Sequence, residues 1–158
     1  MANLSQLIDE YLAGPPALRQ AVSGMSREQL LARPVSGKWS TLEVVAHIAD
    51  FDPILADRVK RILALDNPPL TGADENRFVA ALAYHDRDLE EELSIVERTR
   101  SQLARILRKQ NDAVLQRSGV HSERGPMTLE RMLTAAIRHI PHHVQFIQDK
   151  RKALGLPA

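Results

Sequence analysis

Cysteine is absent from the 158 residues. No disulfide framework is possible, and no protein thiol can serve as nucleophile or metal ligand. Aromatic residues are scarce, at 4%, and no basic run is interleaved with them. Neither sign of charge dominates: 21 Lys and Arg stand against 20 Asp and Glu, a formal net charge of +1. Nucleic acid and anionic bilayers are gripped by a basic patch or stripe, so neither partner is expected. No stretch is long and apolar enough to cross a bilayer, and the first ten residues lack the basic and apolar regions of a signal peptide. A cytoplasmic location is expected.

Strand signals are nearly missing too, and what remains is helical periodicity broken by Gly and Pro. The length fits one domain over residues 1–158. A first helix runs from Leu4 towards Met25, interrupted at Gly14-Pro15-Pro16. Ser26 caps a short helix over Arg27–Ala32, and Arg33–Lys38 reads as a loop. Ser40-Thr41-Leu42-Glu43 is a capping box, in which a hydroxyl and a carboxylate exchange bonds with each other's backbone amides. It starts a second long helix at Thr41, which continues to about Leu65 and stops at Asn67-Pro68-Pro69.

A loop over Leu70–Asn76 leads to a short helical piece, Arg77–Ala83, and a third long helix spans Asp86–Lys109. Gln116–Pro126 reads as a loop or a short hairpin, and Thr128 caps a fourth long helix ending near Leu154. Four amphipathic helices in one chain predict an all-α four-helix bundle with short extra helices in its connections.

Six histidines are present, and their positions differ in kind. Met132, Ala136, His139, His143 and Phe146 follow at offsets of 4, 3, 4 and 3, one face of a helix that is otherwise apolar. Two imidazoles one turn apart on a buried face can share a metal ion. His142 falls instead on the polar stripe of Arg138, Gln145 and Asp149. His47 lies among Val44, Val45, Ala46, Ile48 and Ala49 and is the best candidate for a third ligand. Alone it would read as a satisfied core residue, but facing helices commonly build metal sites in bundle cores. His85 and His121 are expected at the surface.

Pro141 stands between the paired histidines. Proline inside a helix removes one backbone bond and costs roughly 3 kcal/mol. Either the helix breaks there, or it continues with a kink that aims both imidazoles. The apolar face resumes in register at Phe146 and Ile147, which favours continuation.

Two segments carry a family resemblance. Gly37-Lys38-Trp39-Ser40 followed by Val44-Val45-Ala46-His47-Ile48-Ala49-Asp50 is similar to a GKWS/T…VxHxAD signature. His139-Ile140-Pro141-His142-His143-Val144-Gln145-Phe146-Ile147 is similar to an HxxHHxxxI segment. Pro16–Ser26 also looks like the ending of the same family's first helix. Together they resemble the DinB/YfiT-like family of metal-binding four-helix proteins.

The resemblance implies a triad of His47, His139 and His143 holding one divalent transition metal ion, zinc or nickel, and a homodimer. It implies either a metal-dependent hydrolase or a thiol S-transferase that uses a low-molecular-weight thiol, with an unknown small-molecule substrate. An ion on three histidines keeps a position open, where it can activate water or bind an imported thiol. The alternative is a metal-binding or stress-response protein without catalysis.

Asp50 stands one turn after His47, where it can orient that imidazole, accept a proton, or simply be solvated. Asp74-Glu75-Asn76 reads first as a helix cap and second as a border of the pocket. Trp39 reads first as a core anchor at the start of the second helix and second as part of the pocket's lining.

Overall fold

A computed structural model describes residues 3–157. The first bundle rod is two helices, α1 (Leu4–Leu12) and α2 (Gly14–Val22), meeting at Ala13. Pro15 has no amide hydrogen to give the carbonyl of Tyr11. Arg100, from the third rod, supplies that bond instead, its Nη1 donating to Tyr11 O at 2.8 Å. Gly14 makes room for it, since a Cβ there would stand 2.5 Å from the same nitrogen.

The short α3 (Arg27–Leu31) and the long α4 (Thr41–Ala64) both begin with complete capping boxes, at Ser26/Gln29 and Ser40/Glu43. Each cap is worth about 1 kcal/mol, and together they fix where the intervening loop ends. Next come α5 (Glu75–Ala81), a 3₁₀ turn over Tyr84–Asp86, and α6 (Leu89–Leu107). A second 3₁₀ turn, over Asp112–Gln116, precedes α7 (Leu129–Ala153). The helix α5 starts two residues before the expected position because the Asp74 side chain accepts from the amides of Asn76 and Arg77.

The helices α4, α6, α7 and the α1–α2 rod form the bundle, with α4 packed on both α6 and α7. One apolar cluster gathers Leu4, Ile8, Tyr11, Val59, Leu103, Leu107, Leu129 and Leu133. A second gathers Leu18, Leu42, Val45, Ile48, Val96, Ile140 and Ile147.

The hairpin reading of Gln116–Pro126 holds, but its joining with a third strand into a small sheet was not expected. The strands β1 (Pro69–Leu70), β2 (Ser118–His121) and β3 (Gly125–Thr128) form it in that order. The pair β2–β3 is an antiparallel hairpin with Ser118 opposite Thr128, and β1 joins β2 in parallel. A Cβ on Gly119 would lie 2.8 Å from Pro68 O, so glycine is what admits β1. Strands this short carry too little alternation to be read from sequence. Their effect is to bring the Ser122–Arg124 turn to the bundle's open side.

Candidate metal centre

Both prolines inside the long helices are tolerated: α4 runs through Pro53 and α7 through Pro141 without a break. His139 and His143 therefore stay one turn apart, with ring centroids 4.7 Å from each other. His47 meets them from α4, its Nε2 lying 3.1 Å from Nε2 of His139 and 3.1 Å from Nε2 of His143. One ligand nitrogen from each residue fits within 4.8 Å of the other two, and among the described residues these three are the group that does so.

The donor set fits a transition metal. Nitrogens held about 2.0–2.1 Å from one ion stand roughly 2.9–3.4 Å apart at bond angles between a right angle and the tetrahedral value. Without an ion the arrangement is poor. A neutral imidazole nitrogen has either one hydrogen or one lone pair, so His47 Nε2 cannot donate to one neighbour and accept from the other. The three Nδ1 atoms are buried without a hydrogen-bond partner among the described residues. An ion bound there would accept one lone pair from each of the three histidines.

The electrostatics favour the ligand form. Burial, and then the neighbouring His139, push the pKa of His47 down to about 4. Burial, and then His143, push His139 down to about 3; burial, and then His47, do the same for His143. All three are neutral at neutral pH, as ligation requires. Trp39 and Phe51 flank the His47 ring at centroid distances of 5.3 and 4.4 Å. The group opens into a cavity of about 810 Å³, which Trp39 and Phe51 also line.

Asp50 is not hydrogen-bonded to His47, whose Nδ1 has no partner among the described residues. Its carboxylate is taken by Arg87, which donates to its two oxygens at 2.9 and 3.0 Å and also reaches Glu92 at 3.1 Å. Of the readings open for Asp50, a direct bond to His47 is not seen; both oxygens accept from this guanidinium. Arg87 also donates to Leu82 O, so Asp50 ties the segment after α5 to α4.

The first residue of α5 is one the sequence pointed to only as a second choice. Glu75 lines the cavity, and its Oε2 lies 3.8 Å from His47 Nε2. Asp74 is the cap, which leaves the next carboxylate free for the pocket.

His142 is exposed and outside the triad, as its polar stripe predicts, although it borders the cavity. His85 is exposed. His121 corrects the expectation of a surface residue: it is 5% exposed and lines the cavity, because the hairpin folds it inward beneath Arg58 and Arg124.

A helical bundle whose facing helices aim three imidazoles at one point is the architecture of core metal sites. The chain belongs to the DinB superfamily, whose profile matches residues 10–147. It is 26% identical over 151 residues to a protein of Oceanobacillus iheyensis, covering 94% of this chain and 87% of that one. It is also 26% identical over 151 residues to YfiT of Bacillus subtilis, covering 95% and 83%. Both relatives carry the provisional name metal-dependent hydrolase.

The fold matches the solved structure of Bacillus subtilis YfiT at a TM-score of 0.90 and 24% identity, over 98% of this chain and 89% of that one. That structure is described as a four-helix bundle of unusual topology. A mutant of the mycothiol-dependent maleylpyruvate isomerase matches at a TM-score of 0.72 and 12% identity, over 91% of this chain and 60% of that one. Among the described residues no helix is long and apolar enough to cross a membrane.

Proposed function

We propose that this protein is a metal-dependent hydrolase of a small molecule, with one zinc or nickel ion held by His47, His139 and His143. The convergence of three neutral imidazoles, His47 and His143 buried and His139 half-buried, beside an open cavity carries this conclusion. A divalent ion there supplies Lewis acidity and makes water acidic enough to act as a nucleophile near neutral pH.

The chain's own residues do the rest. The three imidazoles hold their Nε2 atoms together on two helices, so little reorganisation is needed on binding. Trp39 and Phe51 pack against His47 and give the cavity an apolar wall beside it. Glu75 is placed to accept a proton from a nucleophile beside the triad, within a side chain's swing of His47. Asp50 acts at one remove, as a positioning residue that anchors the α5 segment through Arg87.

The test begins with elemental analysis, where about one equivalent of zinc or nickel per chain is expected and His139→Ala should abolish it. The loaded protein is then assayed against a panel of esters and amides, with and without low-molecular-weight thiols. Hydrolysis that falls about 100-fold in Glu75→Gln with the metal retained supports the assignment. Turnover only when a thiol is supplied makes the protein a thiol transferase. Tight metal binding with no turnover across the panel makes it a metal-binding protein without catalysis.

A further inference from the structure

The cavity wall holds a cation that the metal site does not use. Lys150 continues the ligand face of α7, following His139, His143 and Phe146 at offsets of 4, 3 and 4. It lines the cavity yet is only 3% exposed. Its Nζ donates to Phe146 O, a carbonyl of its own helix, at 3.2 Å and sits 5.9 Å from the Phe146 ring centroid. That ring in turn stands 5.8 Å from the His143 ring, so metal face and ammonium are joined by one aromatic side chain.

Lys150 forms no ion pair among the described residues. Glu43, one nearby carboxylate, is committed to Arg33 and to the Ser40 amide. Asp149 is exposed and accepts from Gln145. Lys38 adds a second positive charge at the same mouth of the cavity. Burial disfavours the charged form of Lys150 and Lys38 adds to this, while Asp149 and Glu43 offset part of it from a distance. An ammonium withdrawn from water needs an opposite charge, and none of the chain's own carboxylates supplies one at contact distance. An oxyanion entering the cavity would make a charge-assisted bond with it.

We propose that Lys150 receives an oxyanion, carboxylate or phosphate, carried by the substrate at its far end, two helical turns or roughly 10 Å along α7 from His143. This rests on the metal reading above and narrows its substrate class to small anionic molecules. An elongated substrate then spans the Phe146 ring, with one end at the histidines and the other at Lys150.

The test uses the full chain loaded with cobalt(II), whose absorption reports both occupancy of the triad and ligation by a thiolate. Two probes of matched length are titrated, 6-mercaptohexanoate and 6-mercaptohexanol; 6-mercaptohexyl phosphate separates phosphate from carboxylate. The unaltered chain should bind an anionic thiol about tenfold more tightly than the neutral one, a difference of about 1.4 kcal/mol. Lys150→Met should erase that preference while leaving the neutral thiol's Kd unchanged, which also shows that the variant folds. Lys150→Arg should restore it. Equal affinities in the unaltered chain, or a preference that survives Lys150→Met, overturns the proposal. A chain that takes up no cobalt overturns the metal reading and this one with it, and that failure is visible before any thiol is added.

Discussion

Two buried polar clusters tie α4 to its neighbours, and they are built on opposite terms. Arg100 and Asp52 are both fully buried, and every guanidinium nitrogen is used. Nε and Nη2 donate to the two Asp52 oxygens at 2.7 and 2.8 Å, Nη2 also donates to Ala136 O, and Nη1 donates to Tyr11 O. The guanidinium further stacks on the Tyr11 ring at 4.3 Å. The three histidines, by contrast, crowd their Nε2 atoms together and leave every Nδ1 without a partner among the described residues. A buried polar group that is satisfied from within is architecture. One held in place while unsatisfied is shaped for something that arrives.

The contrast can be broken most decisively at Arg100. Arg100→Met strands Asp52 in the core and frees the carbonyl of Tyr11, so unfolding by urea should show a loss of about 3–5 kcal/mol. A loss under about 1 kcal/mol would put this pair in the same class as the histidines. The opposite pattern is expected at His139→Ala. Metal-free, its stability should differ from the parent by only about 1 kcal/mol, because one unsatisfied group is removed as packing is lost. With zinc at a hundred times its Kd, the parent should gain about 2.7 kcal/mol and the variant nothing. A variant that keeps the zinc-dependent gain would remove His139 from the centre.

The pH dependence sharpens the same comparison. The folded pKa values of about 4, 3 and 3 lie below the ordinary histidine value of 6.5. As pH falls below 6.5 the unfolded chain takes up protons that the folded chain refuses. The metal-free protein therefore loses stability progressively down to about pH 3–4, and keeps this contribution in full above pH 6.5. Each histidine adds a slope of about 1.4 kcal/mol per pH unit within its window. The parent's acid slope between pH 6 and 4.5 should exceed that of His139→Ala by about this amount. Equal slopes would mean that His139 is protonated as easily folded as unfolded.

Asp50→Asn should do less. It weakens the tether of the α5 segment by about 1 kcal/mol and leaves metal content unchanged, since His47 does not depend on it. Loss of the metal in this variant would restore the direct contact that the sequence suggested.

How much of this was visible beforehand follows from the kind of signal each part leaves. The bundle was legible because capping residues and apolar spacing are local: Ser40, Glu43 and Thr128 mark the helix starts that the structure shows. The meeting of the three histidines was legible because His139 and His143 share a face and His47 sits in an apolar run. The Arg100–Asp52 pair went unread, although Arg100 interrupts the stripe of Leu93, Val96, Leu103 and Leu107, and a charge on an apolar stripe is a signal. Its partner was beyond reach, because Asp52 is brought to it by tertiary packing alone. Glu75 and His121 lie on connections whose path depends on the Asp74 cap and on a sheet of very short strands. No periodicity records where such segments fold back.

The smallest expected effect concerns His142, which stands beside a ligand without being one. One residue along a helix rotates a side chain by about 100 degrees, so His142 and His143 cannot both face the same point. His142 is exposed, with its ring 4.8 Å from that of Phe146, whereas His143 is buried against His47. His142→Ala should therefore keep the full metal content and change stability by no more than about 0.5 kcal/mol. His143→Ala should lose the metal altogether. The reverse outcome would mean that the helix changes phase at Pro141, carrying a different imidazole into the core and undoing the match between α7 and α4.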